Sequence, residues 1–550
     1  MTCLADKLQD LELCLKSQHE QEVSYGQALR EAIVHMDLLI EVEVLKSLGD
    51  LHLQKGKLSK DSAEFDKAAV LYAAALLRCK DPDMGQTLEH RISYMEKLSR
   101  QLLQGKAKSY YEQSLQMTQI IYGEDTEHPD IATLLNNLGN AWRDLGDYRK
   151  AINYYEQSLQ MKRIIYGDNT AHPNIADSLN NLGTAWSHLG DHRKAKSYYE
   201  QSLQMTQIIY GEDTEHPDIA TLLNNLGNAW RDLGDYRKAI NYYEQSLQMR
   251  QSIYGKDTAH PNIAASHNNL GTTWSHLGDH RKAISYFEQS LKMRRIIYGE
   301  DTEHPDIATL LNNLGNAWRD LGDYRKTINY YEQSLQMRQS IYGKDTAHPN
   351  IAASHNNLGT TWSHLGDHRK AISYFEQSLK MRRIIYGEDT THPDIANSLN
   401  NLGKAWSDLG DHRKTISYYE QSLKMKQIIY GDNTAHPDIA SLLNNLGVAW
   451  SILGDHRKAI SYYEQSLKMM RIIYGEDTTH PDIAKSLNNL GNAWSNLGDH
   501  SKAISYYEQS LQMRRSVFGK DTAHPGIADS LKNLGIAWRN LSDQKGHLLL

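Results

Sequence analysis

Apolar residues recur at helical spacing through most of the chain. Between Pro129 and Leu145 an apolar residue follows every third or fourth position: Ile131, Leu135, Leu138, Trp142 and Leu145. On a helix with 3.6 residues per turn these positions form one stripe, so the pattern predicts an amphipathic helix. Pro129 suits the first turn, and Gly146 suits a left-handed stop just past the stripe.

A second apolar stripe follows directly. Asp147 is a plausible N-cap for the segment YRKAINYYEQSLQMKRIIYG, and Gly167 ends it. One face of this predicted helix carries Ala151, Tyr155, Ser158, Leu159 and Ile165. The two stripes, joined by a short connection, predict a helical hairpin.

The hairpin is one unit of a long repeat. The dipeptide His-Pro recurs every 44 residues, and all ten tryptophans keep the same spacing. Its prolines are Pro129, Pro173, Pro217, Pro261, Pro305, Pro349, Pro393, Pro437, Pro481 and Pro525. Residues 250–302 and 338–390 are identical, as are 106–161 and 194–249, so a block of two units has been duplicated. A fixed period of this length is typical of stacked repeats.

Neither helix of a unit can bury its own stripe. Covering a leucine or tryptophan stabilises the fold by roughly 1.5–3 kcal/mol, so neighbouring hairpins must stack. Gly139, Ala141 and Ala151 allow close approach of the backbones, and we expect Trp142 and Tyr155 to fill the space between successive hairpins. The sequence therefore predicts an all-α solenoid of stacked antiparallel hairpins.

The motifs LGxxW, LGDY and KAIxYYEQSL resemble those of the tetratricopeptide repeat. Leu138, Gly139 and Trp142 match its first-helix Leu-Gly-Tyr pattern, and Ala151 and Tyr155 match its second-helix alanine and aromatic residue. The resemblance implies a right-handed superhelix with a concave face, lined mainly by the first helices, that binds proteins or peptides.

This chain departs from the usual repeat in two ways. Ser158 stands where the family has alanine, and the second helix continues into IIYG, which lengthens the period from 34 to 44 residues. Long repeats that open with HPxIAxxLNNLG resemble those of kinesin light chains and nephrocystin-type proteins, over about residues 106–540.

The ends of the chain differ from the array. SLGDLHLQKGK keeps Gly49 and Gly56 at the seven-residue separation of the repeat, so a decayed unit caps the array. Leu4, Leu11 and Leu15 form at most two ragged heptads, fewer than a coiled coil needs. The predicted regions are an N-terminal helical segment at 1–38, a divergent capping region at 39–105, the array at 106–540 and a tail at 541–550.

The tenth unit has a first helix followed by SDQKGHLLL in place of a second helix. Either the chain is a fragment, or Ile536 and Trp538 are covered by another molecule, which makes self-association through this end an expectation.

Composition narrows the class of function. The 550 residues are 40% hydrophobic and 23% charged, with a formal net charge of −7 and no basic stretch, so we expect no nucleic-acid binding. No run approaches 18 consecutive apolar residues, which predicts no membrane insertion. The three cysteines, Cys3, Cys14 and Cys79, argue against a disulfide scaffold and for a reducing compartment, so the expected location is cytoplasmic.

The motifs that carry catalysis or hold a metal are missing from the sequence. There is no phosphate-binding glycine loop, no GxSxG and no HExxH. His188 and His192 have zinc-like spacing, but Gly190 should end the helix between them, and the histidines before proline fall on separate hairpins. The sequence predicts a nonenzymatic protein without a cofactor or bound metal.

The expected partner-binding residues lie beside the leucine stripe of the first helices. One asparagine recurs in every unit, as Asn137, Asn181, Asn225, Asn269, Asn313, Asn357, Asn401, Asn445, Asn489 and Asn533. A ladder of amides can satisfy the backbone of an extended peptide. The same amides can instead hydrogen-bond the adjacent repeat, and the sequence favours neither role.

Two neighbouring positions vary between units. One holds Asn140, Asn228, Asn316 and Lys404, and the other holds Arg143, Arg231 and Arg319, with serine in most other units. These arginines can receive the carboxylates of an acidic peptide, since a guanidinium binds a carboxylate through two donors. An aspartate follows each of them and offers a competing partner.

These features favour a scaffold or adaptor that holds protein segments in the groove. Two narrower hypotheses follow from the resemblance. The chain is a cargo adaptor like a kinesin light chain, or it is the helical arm of a signalling or ciliary protein like nephrocystin.

Overall fold

A computed structural model confirms the all-α repeat architecture. It describes residues 20–33, 38–79, 82–123, 126–168, 170–344, 346–388, 390–431, 434–475, 478–520 and 522–548. Throughout these residues the regular secondary structure is helical. The helices lie in two compact units that divide between Thr346 and Ala347.

The first unit contains α1 to α14. Its helices are α1 (20–33), α2 (Leu38–Ser59), α3 (Ser62–Arg78), α4 (Pro82–Tyr122), α5 (Pro129–Asp144), α6 (Tyr148–Tyr166), α7 (Pro173–Leu189), α8 (His192–Tyr210), α9 (Pro217–Asp232), α10 (Tyr236–Tyr254), α11 (Pro261–His276), α12 (His280–Tyr298), α13 (Pro305–Asp320) and α14 (Tyr324–Tyr342). From α5 onward the odd-numbered helices are the first helices of the hairpins and the even-numbered helices are the second.

The second unit contains α15 to α23 and repeats the same hairpin. Its helices are α15 (Pro349–His364), α16 (His368–Tyr386), α17 (Pro393–Leu409), α18 (His412–Tyr430), α19 (Pro437–Ile452), α20 (His456–Tyr474), α21 (Pro481–Asn496), α22 (His500–Phe518) and α23 (Pro525–Leu548).

Each hairpin begins and ends where the sequence predicts. His128 caps α5, because its Nδ1 accepts a hydrogen bond from the Asp130 N–H at 3.2 Å and its ring stacks on Tyr122 at 3.7 Å. Asp147 caps α6 by accepting from the Lys150 N–H at 3.1 Å. Gly146 adopts φ +83°, the left-handed conformation that lets the chain reverse between the two helices.

Each hairpin is closed by an aromatic ring over a glycine. A Cβ built on Gly139 would lie 2.5 Å from the ring of Tyr155, so the two helices approach through the missing side chain. Tyr155 therefore closes its own hairpin, and its ring also packs in the apolar cluster that α6 shares with α7, as expected. The Ser158 hydroxyl donates to the carbonyl oxygen of Ala132 at 2.6 Å, which explains a buried serine where the family has alanine.

Successive hairpins share apolar clusters. Between α6 and α7, Leu159 packs with Leu179 and Leu182, and half-buried Trp142 borders the cluster as expected. The Lys150 ammonium lies 4.0 Å from the centre of the Trp142 ring and covers its outer side. Stacking therefore buries the two stripes that a single hairpin would leave exposed.

The capping region uses the same packing. A Cβ on Gly49 would lie 2.5 Å from the ring of Tyr72, as in the array hairpins. The predicted boundary between 105 and 106 falls inside α4, which is one continuous helix of 41 residues. The predicted tail at 541–550 is helical as far as the described residues reach, because α23 runs to Leu548. Leu4, Leu11 and Leu15 lie outside the described residues.

Candidate protein-interaction surface

In each unit the first helices of successive hairpins lie next to one another. We call this row the first-helix wall: α5, α7, α9, α11 and α13 in the first unit, and α15, α17, α19, α21 and α23 in the second. The sequence-predicted site residues all lie on it, eight to fourteen residues after the first residue of their helices.

The recurring asparagines join neighbouring helices of the wall. For seven of them the side-chain amide nitrogen donates to the side-chain oxygen of an asparagine in the preceding first helix, and we call this row the asparagine ladder. The distances are 3.2 Å from Asn181 to Asn136, 3.1 Å from Asn225 to Asn180, 3.0 Å from Asn269 to Asn224, 3.3 Å from Asn313 to Asn268, 2.9 Å from Asn401 to Asn356, 3.1 Å from Asn489 to Asn444 and 3.3 Å from Asn533 to Asn488. Asn137, Asn357 and Asn445 occupy the same half-buried position of their helices.

These asparagines could bind a partner peptide or hydrogen-bond the adjacent repeat, and the ladder shows the second role. A hydrogen bond between neutral groups contributes about 0.5–1.5 kcal/mol, so an alanine substitution here weakens the stack as well as any partner contact. Partner binding by these amides stays a prediction.

The asparagines at the first variable position bind the ring that closes their own hairpin. The Tyr155 hydroxyl donates to the side-chain oxygen of Asn140 at 2.8 Å, and burial raises the pKa of Tyr155 to about 12, so the phenol stays protonated. The same bond joins Tyr243 to Asn228 at 2.6 Å, Tyr331 to Asn316 at 2.6 Å and Tyr507 to Asn492 at 2.7 Å.

Part of the variation at this position therefore depends on which aromatic residue closes the same hairpin. Thr272 and Thr360 occur where phenylalanine replaces the tyrosine, as Phe287 and Phe375, and no hydroxyl needs an acceptor. Lys404 is exposed at the same position of α17. Only the exposed members of this set present a variable side chain to solvent.

Arg143, Arg231 and Arg319, three of the four arginines at the second variable position, pair with the aspartate that follows each of them. Arg231 Nε and Nη2 lie 3.0 Å from the Asp232 carboxylate. Arg143 and Arg319 make the same pairs with Asp144 and Asp320 at 2.9–3.2 Å. Both charges are partly exposed, so each pair contributes little to stability and leaves the wall polar.

Sequence inspection missed a row of buried cations between hairpins. Lys162 on α6 is 6% exposed, and its ammonium donates to the Ser178 hydroxyl at 2.7 Å and to the Asn174 carbonyl oxygen at 3.2 Å on α7. Burial lowers the pKa of Lys162. Arg250 makes the same two contacts with Ser266 and Asn262 at 2.8 and 2.9 Å.

A signal for this row exists in the sequence. The residue sixteen positions after the cation is serine in four of these contacts: Lys162 with Ser178, Arg250 with Ser266, Arg382 with Ser398 and Arg514 with Ser530. Where that residue is leucine, as Leu310 and Leu442, the cation binds a carboxylate instead: Arg294 binds Asp306, and Lys426 binds Asp438 at 3.0 Å.

The histidines have structural contacts. His188 stacks on Tyr148 at 5.0 Å, and Gly190 ends α7 in the left-handed conformation, as predicted. His267 and His355 lie in the core at 2–3% exposure, and burial lowers the pKa of each to about 4. Within the described ranges no three residues of metal-ligating type come together, and no helix there is both long and apolar enough to cross a bilayer.

The tetratricopeptide repeat family models match most of this chain. One model covers residues 102–164, 218–296, 306–384 and 438–516, and a second covers 175–218 and 395–438. The chain belongs to the tetratricopeptide repeat (TPR) family.

Several solved structures are similar to this chain at low identity, with TM-scores below 0.5. BtubC (BKLC) from P. vanneervenii is 21% identical over 44% of this chain and 92% of its own, with a TM-score of 0.38. A Podosopora anserina protein with nearly identical TPR-like repeats is 20% identical over 39% and 99%, with a TM-score of 0.34. Apo RapI is 14% identical over 70% and 98%, with a TM-score of 0.47. No curated protein sequence matches this chain.

Proposed function

We propose that this TPR protein is a nonenzymatic scaffold or adaptor that holds segments of partner proteins against its first-helix wall. The asparagine ladder is the observation that carries the proposal. In the first unit the ladder fastens each first helix from α5 to α13 to the next, so the exposed faces of these helices form one continuous polar surface rather than separate hairpins.

The chemistry of the repeats supports a binding role over catalysis. A reactive site needs different residue types that converge on one cleft, whereas near-identical hairpins supply the same residue types at each step. The strongly shifted groups of the core, such as Tyr155 and His267, are buried by packing against apolar neighbours.

Arg143, Arg231 and Arg319 of the wall support acidic segments as one class of partner. A guanidinium carries five N–H donors, and Asp232 accepts two from Arg231, so a partner carboxylate can bind the remaining donors.

Affinity capture followed by mass spectrometry tests this function with matched variants. The wall variant carries Arg143→Ser, Arg231→Ser and Arg319→Ser, because serine stands at this position in α7. The control carries Arg149→Ser, Arg237→Ser and Arg325→Ser on exposed second-helix positions, where α22 has Ser501. Both remove three positive charges.

We expect the wall variant to lose proteins that the unmodified chain and the control variant both retain, with equal helicity by circular dichroism. Equal capture by all three chains would refute the proposed surface.

Two narrower roles stay proposals: a cargo adaptor like a kinesin light chain, and a helical arm like that of nephrocystin. Recovery of a motor heavy chain with the captured proteins would support the first. Recovery of ciliary or signalling proteins without a motor would support the second.

Self-association through α23 is a further proposal for this protein. Trp538 is 55% exposed and Leu531 47% exposed on this helix. Light scattering should then show a concentration-dependent mass that Trp538→Ser lowers, and an unchanged monomer mass in both chains would contradict it.

A further inference from the structure

A cavity of about 60 Å³ lies among three consecutive helices of the first unit. Asp177 and Asn180 of α7 line one side, and Asp218 of α9 lines the other. Thr206 of α8 lies between them and is itself 4% exposed. The cavity therefore places two carboxylates around a short, buried side chain.

The position of Thr206 holds a cation in most other hairpins. Its equivalents at multiples of 44 residues are Lys162, Arg250, Arg294, Arg338, Arg382, Lys426, Met470 and Arg514. Threonine is too short to reach the next first helix, and its hydroxyl instead donates to the Ser202 carbonyl oxygen at 2.8 Å. The space that a long basic side chain fills elsewhere is a cavity at this step.

One of the two carboxylates, that of Asp218, has equivalents that bind cations in two other hairpins of this same structure. Asp218 corresponds to Asp306, which pairs with Arg294, and to Asp438, whose carboxylate lies 3.0 Å from the Lys426 ammonium. In all three hairpins a leucine stands four residues after the aspartate, and Leu222 is the one that lines the cavity. A basic side chain that binds this aspartate position is thus observed twice within the chain itself.

Electrostatics also favour a cation in this place. Partial burial and the negative charge of Asp218 raise the pKa of Asp177, so the charged form of Asp177 is destabilised in this place. A guanidinium between them would relieve this repulsion and donate hydrogen bonds to both carboxylates.

We infer that this cavity binds the side chain of an arginine from an extended segment of a partner protein. The inference rests on the proposed scaffold function and names one chemical feature of the partner. Asn180, which lines the cavity, also accepts the ladder bond from Asn225 at 3.1 Å. A segment that lies along the first-helix wall would therefore pass the mouth of the cavity and insert its arginine there.

Two other positions equivalent to Thr206, those of Thr118 and Met470, have different surroundings. Thr118 precedes the same Asp-Leu pair, but α4 is continuous, so no antiparallel first helix supplies counterparts of Asp177 and Asn180. At Met470 the thioether fills the space and approaches the Ser486 hydroxyl at 3.6 Å.

Methyl NMR on the intact chain tests the site directly. The probe is the blocked tripeptide acetyl-Gly-Arg-Gly-amide, and the reporters are the methyl groups of Thr221 and Leu222, which line the cavity. The control probe replaces arginine with citrulline, which has the same shape without the charge. Thr206→Arg supplies the cation from the chain itself, and Thr206→Val keeps the cavity at the same size.

We expect saturable shifts of these methyl groups with the arginine probe, at least tenfold weaker binding of the citrulline probe, and no binding to Thr206→Arg. Thr206→Val should bind as the unmodified chain does. Thr206→Arg should also melt at a higher temperature, because its guanidinium would bind Asp218 as Arg294 binds Asp306.

Three results would each overturn the inference. These are the absence of a saturable shift up to roughly 50 mM probe, equal binding of the two probes, and unchanged probe binding by Thr206→Arg. None of these results depends on the capture experiment, so the scaffold function can stand if the arginine site fails.

Discussion

The two buried histidines should make the array labile in mild acid. His267 on α11 and His355 on α15 are 2% and 3% exposed, and burial lowers the pKa of each from 6.5 to about 4. The folded state therefore favours the neutral imidazole. Its contribution to stability is complete above pH 6.5 and is lost as the pH falls from 6.5 toward 4.

The magnitude follows from the size of the pKa shift. A pH of 5 lies 1.5 units below the pKa of 6.5 that the imidazole has in the unfolded chain, so it is mostly protonated there. The imidazole of the folded chain is still mostly neutral at this pH. At 1.36 kcal/mol per unit, each histidine costs about 2 kcal/mol of local stability at pH 5, a factor of roughly 30 in the opening equilibrium. Backbone hydrogen bonds lower the pKa of N-cap carboxylates such as Asp147, so these groups lose their charge only in stronger acid.

The assay is hydrogen exchange with mass spectrometry, since a repeat array opens locally. Residues 250–302 and 338–390 are identical and give the same peptides, so His267→Leu and His355→Leu are combined. Leucine is the residue that α9 and α13 place at this position, as Leu223 and Leu311. The control combines His276→Asn and His364→Asn, which replace exposed imidazoles one turn before the hairpin bend.

We expect the leucine variant and the unmodified chain to exchange at similar rates in these peptides at pH 7.5. At pH 5 the leucine variant should be protected about 30-fold more, and the asparagine control should behave as the unmodified chain. Equal protection of the leucine variant and the unmodified chain at pH 5 would refute the argument from burial.

Three further substitutions probe the packing. Gly227→Ala places a Cβ 2.6 Å from the ring of Tyr243 and should destabilise that hairpin by about 1–3 kcal/mol in urea denaturation, an estimate that an unchanged midpoint would contradict. Trp230→Ala removes a half-buried indole and its two lysine contacts and should cost about 2–3 kcal/mol, less than a fully buried tryptophan; a loss below the error of the same measurement would show that the ring is dispensable. Arg294→Thr should lower the melting temperature and open a second cavity beside Asp306, and a melting temperature equal to that of the unmodified chain would mean that the ion pair contributes nothing.

The period and the apolar stripes of the sequence determine the hairpins. His-Pro at the start, Asp147 as a cap and Gly146 at the bend act within a few residues of chain, so local chemistry alone predicts where each helix begins and ends. The family resemblance also follows from the sequence, because Leu138, Gly139 and Trp142 stand at fixed spacing.

Contacts between neighbouring hairpins could not be derived from the sequence in the same way. The sequence leaves the asparagines with two roles, and only the register of neighbouring first helices places Asn181 opposite Asn136. It likewise does not show that Tyr155, besides packing toward the next hairpin, closes its own hairpin over Gly139.

The row of buried cations shows the physical reason most clearly. Lys162 and Thr206 occupy the same place in the repeat and look like neutral surface variation along the chain. Whether a side chain there bridges two hairpins or leaves a cavity depends on which atoms of the next helix lie within its reach. Helical periodicity determines which face of each helix is apolar. Distances between hairpins determine which polar residues hydrogen-bond within the fold and which remain accessible to a partner.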